Sequence, residues 1–154
     1  MVKIVSVENY KDYGRCVEIT NGVISALVTT EIGPRIISSG LSGGQNFMND
    51  NRKLLGGKDM DKPYTDFFGE NRRWENLGGH RIWLSPESYP ETYTPDDLPV
   101  DYVVTENGAI FSQKPQSQIG VAITLEIKMD PDDTNMQVKM RVKNIGNAPK
   151  EFSI

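Results

Sequence analysis

The segment from Trp74 to Glu87 concentrates side chains that could bind or transform a small polar molecule. His80 is the only histidine of the chain and can exchange a proton near neutral pH, which makes it the best candidate for a catalytic group. Arg81 presents a planar fork of N–H donors to hydroxyl or carboxylate oxygens. Trp74 and Trp83 offer large flat apolar faces, which suit the C–H side of a sugar ring. These residue types favour a carbohydrate site.

Other side chains fit the same hypothesis. Glu75 and Glu87 could accept hydrogen bonds from sugar hydroxyls, and Arg35 follows a Gly-Pro step that could aim it inward. The substrate-binding residues predicted from the sequence are therefore His80, Arg81, Arg35, Trp74, Trp83, Glu75 and Glu87. Structural alternatives stay open for several of them. His80 could be a structural hydrogen-bonding group, one tryptophan could belong to the core, and Glu87 and Arg35 could be solvated.

The composition of the chain argues against several classes of function. One histidine and one cysteine are too few for a typical transition-metal site, so neither a metal nor a cofactor is expected. The Asp130–Asn135 turn lacks the glycine and the distal glutamate of an EF-hand. A net charge of −4 argues against nucleic acid, and no apolar run approaches the ~18 residues of a membrane span. Cys16 has no partner for an internal disulfide and no signal peptide is recognisable, so we expect a cytoplasmic protein.

Alternation of apolar and polar residues is the main structural signal. It runs through Ile119–Met129 and again from Met136 to Val142, and the turn-forming residues Asp130–Asn135 between them predict a long antiparallel hairpin. Because no helical period is sustained over three turns, no helix is predicted.

Asn-Gly pairs predict two further hairpins, since they accept the positive φ of a type I′ turn. Asn21-Gly22 joins Cys16–Thr20 to Val23–Thr29, and Asn107-Gly108 joins Tyr102–Thr105 to Ala109–Gln113. With a strand at Arg35–Ser39, at least seven strands result. The predicted fold class is all-β, an antiparallel β-sandwich formed by a single domain over residues 1–154.

One part of the chain departs from this pattern. From Leu41 to Pro99 the alternation nearly disappears, and we call this long, loop-rich segment the excursion. Its stretch from residue 64 to residue 93 contains seven of the thirteen aromatic residues, including both tryptophans, and the only histidine. The seven aromatics are Tyr64, Phe67, Phe68, Trp74, Trp83, Tyr89 and Tyr93. Long irregular segments in compact domains are usually functional, so we expect the site here.

Several motifs resemble one family. The run Gly78-Gly79-His80-Arg81-Ile82-Trp83-Leu84-Ser85-Pro86-Glu87 is similar to a signature of an uncharacterised bacterial branch of the aldose 1-epimerase (galactose mutarotase-like) superfamily. Val17–Val28 followed by Gly33–Ser38 resembles the opening of those proteins, and Lys143–Pro149 resembles a later turn. The resemblance implies a sugar-binding β-supersandwich, of which residues 1–154 would be the N-terminal portion.

The resemblance also bears on catalysis. Mutarotases use a histidine acid and a glutamate base to open the sugar ring, and the resemblance implies that both would lie beyond Ile154. His80 would then contact the sugar rather than act as sole acid, and this chain alone would bind sugar without efficient epimerisation.

Two other functions stay open. One is a structural β-module that completes its sandwich with a partner chain, such as a second copy, through an unpaired strand edge at Lys150–Ile154. The other is an accessory domain of a sugar-phosphate isomerase or lyase, in which Arg81 and Arg35 grip an anionic group.

Overall fold

Two four-stranded antiparallel sheets form the framework of the protein. The structure, a computed structural model, describes residues 1–55 and 61–153, and the strands lie in the order β1-β2-β3-β4 and β5-β6-β7-β8. The first sheet contains β1 (Lys3–Val7), β2 (Cys16–Thr20), β3 (Ile24–Thr29) and β4 (Ile36–Leu41). The second contains β5 (Asp101–Thr105), β6 (Gly108–Ser112), β7 (Val121–Met129) and β8 (Met136–Asn144). This architecture confirms the all-β, antiparallel sandwich predicted from the sequence.

The predicted hairpins match the strand pairs. Asn21-Gly22 begins the turn from β2 to β3, and Asp130–Asn135 connects β7 to β8. The hairpin of β5 and β6 also forms, but its two-residue turn is Glu106-Asn107, because Gly108 already pairs with Thr105 as the first residue of β6. At Asn21 the side-chain oxygen accepts from the backbone N–H groups of Val23 and Ile24, both at 2.9 Å, which fixes the turn.

The chain also contains short helices that the sequence did not predict. The excursion includes α1 (Arg52–Leu55) and α2 (Lys62–Phe68), and a 3₁₀ turn occupies Lys11–Tyr13. Asp61 caps α2 by accepting from the backbone N–H of Tyr64 at 3.2 Å. These helices were missed because neither is long enough to establish a helical period in the sequence. None of the helices within 1–55 and 61–153 is long and apolar enough to cross a membrane.

The main core lies between the two sheets. Alternate residues of β7 point inward, so that Leu125, Ile127 and Met129 are buried, and Phe111 of β6 lies beside them. The first sheet contributes Val17, Ile19, Ile24, Ala26, Val28 and Ile36 to the same cluster. Sheets that share one apolar layer in this way form a sandwich.

The excursion is fixed to both sheets by buried apolar contacts. Leu77 packs on the outer face of the first sheet against Leu27 and Ile37, and its carbonyl accepts a hydrogen bond from the Tyr13 hydroxyl at 2.9 Å. Near the start of β7, a second cluster brings excursion side chains against the second sheet. It contains Ile119, Val121 and Ile123, with Phe67, Ile82, Leu84 and Val142 packed against them. The residues between Leu77 and Ile82 are therefore held at a defined place.

Candidate functional site

The paired glycines allow the excursion to approach the edge of β4 closely. Gly78 and Gly79 have φ of +72° and +64°, and a Cβ on Gly79 would lie 2.6 Å from the carbonyl oxygen of Ile36. The next residue, His80, exchanges two backbone hydrogen bonds with Ile36, at 2.9 and 3.0 Å. The group that Gly79 approaches so closely is thus the backbone of strand β4.

This bridge brings Arg81 next to Arg35, and both meet the carboxylate of Asp96. The Oδ2 atom of Asp96 lies 2.7 Å from the Arg35 guanidinium and 2.6 Å from that of Arg81. Its Oδ1 atom accepts from Gln113 Nε2 at 3.1 Å, and Arg35 also donates to the carbonyl of Gly78 at 2.7 Å. We call Arg35, Asp96 and Arg81 the Asp96 triad.

The triad is buried, and its charges stabilise one another. The side chains of Arg35, Arg81 and Asp96 are 5%, 11% and 9% exposed. Burial by itself would raise the pKa of Asp96, but the charges of Arg81 and Arg35 outweigh it and leave that pKa below its usual range. Burial lowers the pKa of Arg35, although a guanidinium stays charged at any ordinary pH. Removing the carboxylate would leave two buried cations without their anion.

The seven aromatic residues between positions 64 and 93 form one connected cluster of rings. Trp74, Trp83 and Tyr93 contact each other edge-to-face, with centroids 5.4–6.2 Å apart. Tyr89 links this trio to Tyr64, from which the contacts continue through Phe68 to Phe67. The Arg81 guanidinium lies 3.9 Å from the centroid of the Trp83 ring, a cation–π contact. The seven aromatics thus pack largely on one another and stiffen the excursion.

A polar cleft of about 170 Å³ lies beside the triad. Its lining residues are Ile32, Arg52, Asn71, Arg73, Glu75, Leu77, Asp96 and Asp97. We call it the Glu75 cleft. Glu75 Oε2 accepts from Arg52 at 2.5 and 3.1 Å, and Asp97 accepts from Arg72 at 2.5 and 2.7 Å. The cleft therefore combines fixed carboxylate acceptors with guanidinium and amide groups, on an apolar floor of Ile32 and Leu77.

Apart from His80, the predicted site residues lie in three places, which are the Glu75 cleft, the Asp96 triad and the aromatic cluster. Glu75 is the one predicted residue among the described lining of the cleft. Arg35 and Arg81 reach the cleft indirectly, since Asp96 lines it. The two tryptophans pack with Tyr93, whose hydroxyl donates to Glu87.

His80 occupies a different position from the cleft. Its backbone pairs with Ile36, its side chain is half-buried, and no side-chain hydrogen bond or ion pair forms to it within the described residues. The catalytic candidacy of His80 thus stays a prediction.

Sequence reasoning missed Asp96, although a signal was present. Asp96 and Asp97 lie between two prolines in the excursion, and they are the carboxylates that the clustered arginines require. The Asp96 backbone is held in place by the hydrogen bond from Gly33 N–H to its carbonyl at 3.0 Å. Gln113, at the end of β6, was missed as well.

A second, more apolar pocket of about 280 Å³ lies at the other end of the motif. It is lined by Leu84, Ser85, Pro86, Ser88, Glu91, Thr92, Ile119, Val121, Lys150, Glu151 and Phe152. Ser153 exchanges backbone hydrogen bonds with Ser85 at 2.8 and 3.0 Å, which holds the segment before it against the excursion. Ile154, the last residue of the predicted strand edge, lies outside the described residues.

The fold and the cleft define an antiparallel β-sandwich with a polar cleft where its longest connection crosses the first sheet. No protein-family model matches the chain, and no match is found among curated proteins or solved structures. In the described part of the chain, no group of three or more His, Cys, Asp or Glu side chains could hold a metal ion.

Proposed function

We propose that this protein binds a single sugar or sugar derivative in the Glu75 cleft. The observation that carries the proposal is the composition of the cleft: six of its eight described lining residues have side chains that can form hydrogen bonds. Ligand pockets use a few placed polar groups to fix orientation, so six polar side chains around one small cleft suit a ligand covered with hydroxyls. Carboxylates accept from hydroxyls and guanidinium groups donate to them.

The size and the rigidity of the cleft agree with this ligand class. At about 170 Å³ it is smaller than the ~300–1,000 Å³ of sites for drug-sized ligands, so it suits one ring rather than a chain of rings. Arg52 orients Glu75, and Arg35 and Arg81 orient Asp96, so these carboxylate acceptors are fixed before a ligand arrives. The resemblance of Gly78–Glu87 to aldose 1-epimerases points to the same ligand class.

We propose that the protein binds the sugar without epimerising it efficiently. Ring opening requires an acid and a base that both reach the sugar. His80 is absent from the described lining of the cleft. Polarimetry of α-glucose mutarotation should therefore show little acceleration by the protein, and a rate well above the buffer blank would contradict this part of the proposal.

Titration with glucose, galactose, glucuronate and galacturonate tests the proposal, with tryptophan fluorescence as the signal because Trp74 precedes Glu75 in the chain. Glu75→Gln should weaken the binding of the neutral sugars glucose and galactose roughly tenfold or more, since it removes a charged acceptor. Glu87→Gln is the matched control, because Glu87 belongs to the same motif but pairs with Tyr93 away from the cleft. The absence of binding to every sugar would refute the proposal, and a loss confined to Glu87→Gln would move the site to the motif itself.

A second candidate function is favoured by the exposed strand β5. Tyr102, Val103 and Val104 are 40%, 67% and 55% exposed on this edge strand, and none of the three is charged. An edge of this kind is a template for pairing with another chain. The opposite edge strand, β8, carries Lys139 and Arg141, which would repel a second copy of β8.

The occupant that we propose for β5 is a second copy of the same strand. Antiparallel pairing centred on Val103 would place Tyr102 against Val104 of the other copy, a favourable aromatic and β-branched pair. Sedimentation should then show a dimer at high protein concentration, and Val103→Lys should convert it to a monomer. A monomer at every concentration would remove this candidate.

A further inference from the structure

The carboxylates of the Glu75 cleft are already neutralised by arginines. Arg52 donates through Nε and an Nη atom to a single oxygen of Glu75, and Arg72 donates to both oxygens of Asp97 in a bidentate pair. Hydrogen bonds between oppositely charged groups are strong, and two of them in each pair fix the orientation of both partners. Neither carboxylate therefore leaves a net negative charge in the cleft.

The remaining charges of the cleft are positive. Asp96 is one carboxylate shared by two buried guanidinium groups, Arg35 and Arg81, so the triad carries one surplus positive charge. Arg73 also lines the cleft, is exposed, and forms no ion pair or hydrogen bond within the described residues. Taken with their ion-pair partners, the described charged residues that line the cleft have a surplus of two positive charges, although the whole chain carries a net charge of −4.

We infer that the Glu75 cleft selects sugars that carry a negative charge, either a carboxylate or a phosphate group, with Arg73 as the direct contact. This inference rests on the proposed function and adds the ligand's charge to it. A surplus of positive charge in a small cleft attracts an anion and disfavours a cation. The anionic group would replace the partner that Arg73 lacks, while hydroxyls of the ring would meet Glu75 and Asp97.

Glucuronate and glucuronamide form the matched ligand pair for the test, since they differ in charge but hardly in shape. We expect glucuronate to bind up to about fivefold more tightly, which is the upper end of what one exposed ion pair contributes. The difference should shrink as salt is raised from 20 to 500 mM, whereas glucuronamide binding should be nearly independent of salt. Glucose 6-phosphate is the second anionic ligand, and the tighter of the two anions identifies the group that the cleft prefers.

Arg73→Gln should remove most of the preference for glucuronate while leaving glucuronamide binding unchanged, since the surplus charge of the triad stays in place. Lys139→Gln, on the outer face of β8, removes the same charge away from the cleft and should leave both ligands unaffected. Equal affinity of the wild-type protein for glucuronate and glucuronamide would overturn the inference and leave the proposed function standing. If these three ligands fail to bind, and glucose, galactose and galacturonate fail as well, the proposed function itself fails, and with it this inference.

Discussion

The Asp96→Asn substitution tests the central electrostatic feature of the structure. Asparagine has nearly the same shape as aspartate, so the change removes a charge and leaves the packing in place. Arg35 and Arg81 would remain buried, at 5% and 11% exposure, without an anion. Breaking a buried ion pair by removing one partner costs about 3–5 kcal/mol of unfolding free energy. For a chain of this length each kcal/mol lowers the melting temperature by about 2–4 °C, so we expect a fall of roughly 6–20 °C.

Asp97→Asn provides the matched control. Asp97 is the next residue and also pairs with an arginine, but the side chains of that pair, Arg72 and Asp97, are 27% and 36% exposed. Solvent-exposed pairs of this kind contribute about 0–1 kcal/mol. Urea unfolding followed by tryptophan fluorescence gives both free energies. If Asp96→Asn destabilises the protein no more than Asp97→Asn does, then the triad is not the buried ionic centre that we describe.

Three further predictions concern stability and reactivity. Gly79→Ala should lower the unfolding free energy more than Gly43→Ala does. Both glycines have φ near +70°, but only Gly79 lies against the carbonyl of Ile36. Equal losses in urea unfolding would show that this contact is unimportant. Because Asp96 has a lowered pKa in the folded state, its contribution to stability is complete above its unfolded pKa of ~3.9 and is lost as the pH falls further. The difference in unfolding free energy between wild type and Asp96→Asn should therefore narrow below about pH 4. A constant difference at pH 2–7 would argue against this pairing. Burial raises the pKa of Cys16 to about 11, so a disulfide reagent at pH 8 should label it slowly in the folded protein and fast in urea, and rapid native labelling would contradict the burial.

The parts of the fold that could be predicted from the sequence depend on local signals. The Asn-Gly turns and the alternation in β7 and β8 each involve residues close together in the chain, so the strands and hairpins follow directly. The short helix α2 was missed because its signals, the Asp61 cap and the proline that follows Lys62, are those of a turn as well.

The candidate site was less accessible to sequence reasoning, because it depends on contacts between distant residues. Arg35 and Asp96 are separated by 61 positions, and neither has a neighbour in sequence that indicates the pair. The concentration of aromatic residues correctly pointed to the excursion as an unusual segment. The sequence did not show that Trp74 and Trp83 would pack against each other, when they had been expected to offer separate apolar faces to a sugar ring.

The most direct test of the account is to map where a sugar binds. Amide resonances of the ¹⁵N-labelled protein should be followed by NMR as glucuronate is added. The account predicts saturable shifts confined to the segments that line the Glu75 cleft, around Ile32, Arg52, Asn71–Leu77 and Asp96–Asp97. No shifts at tens of millimolar sugar, or shifts confined to the apolar pocket around Ser85 and Phe152, would contradict it.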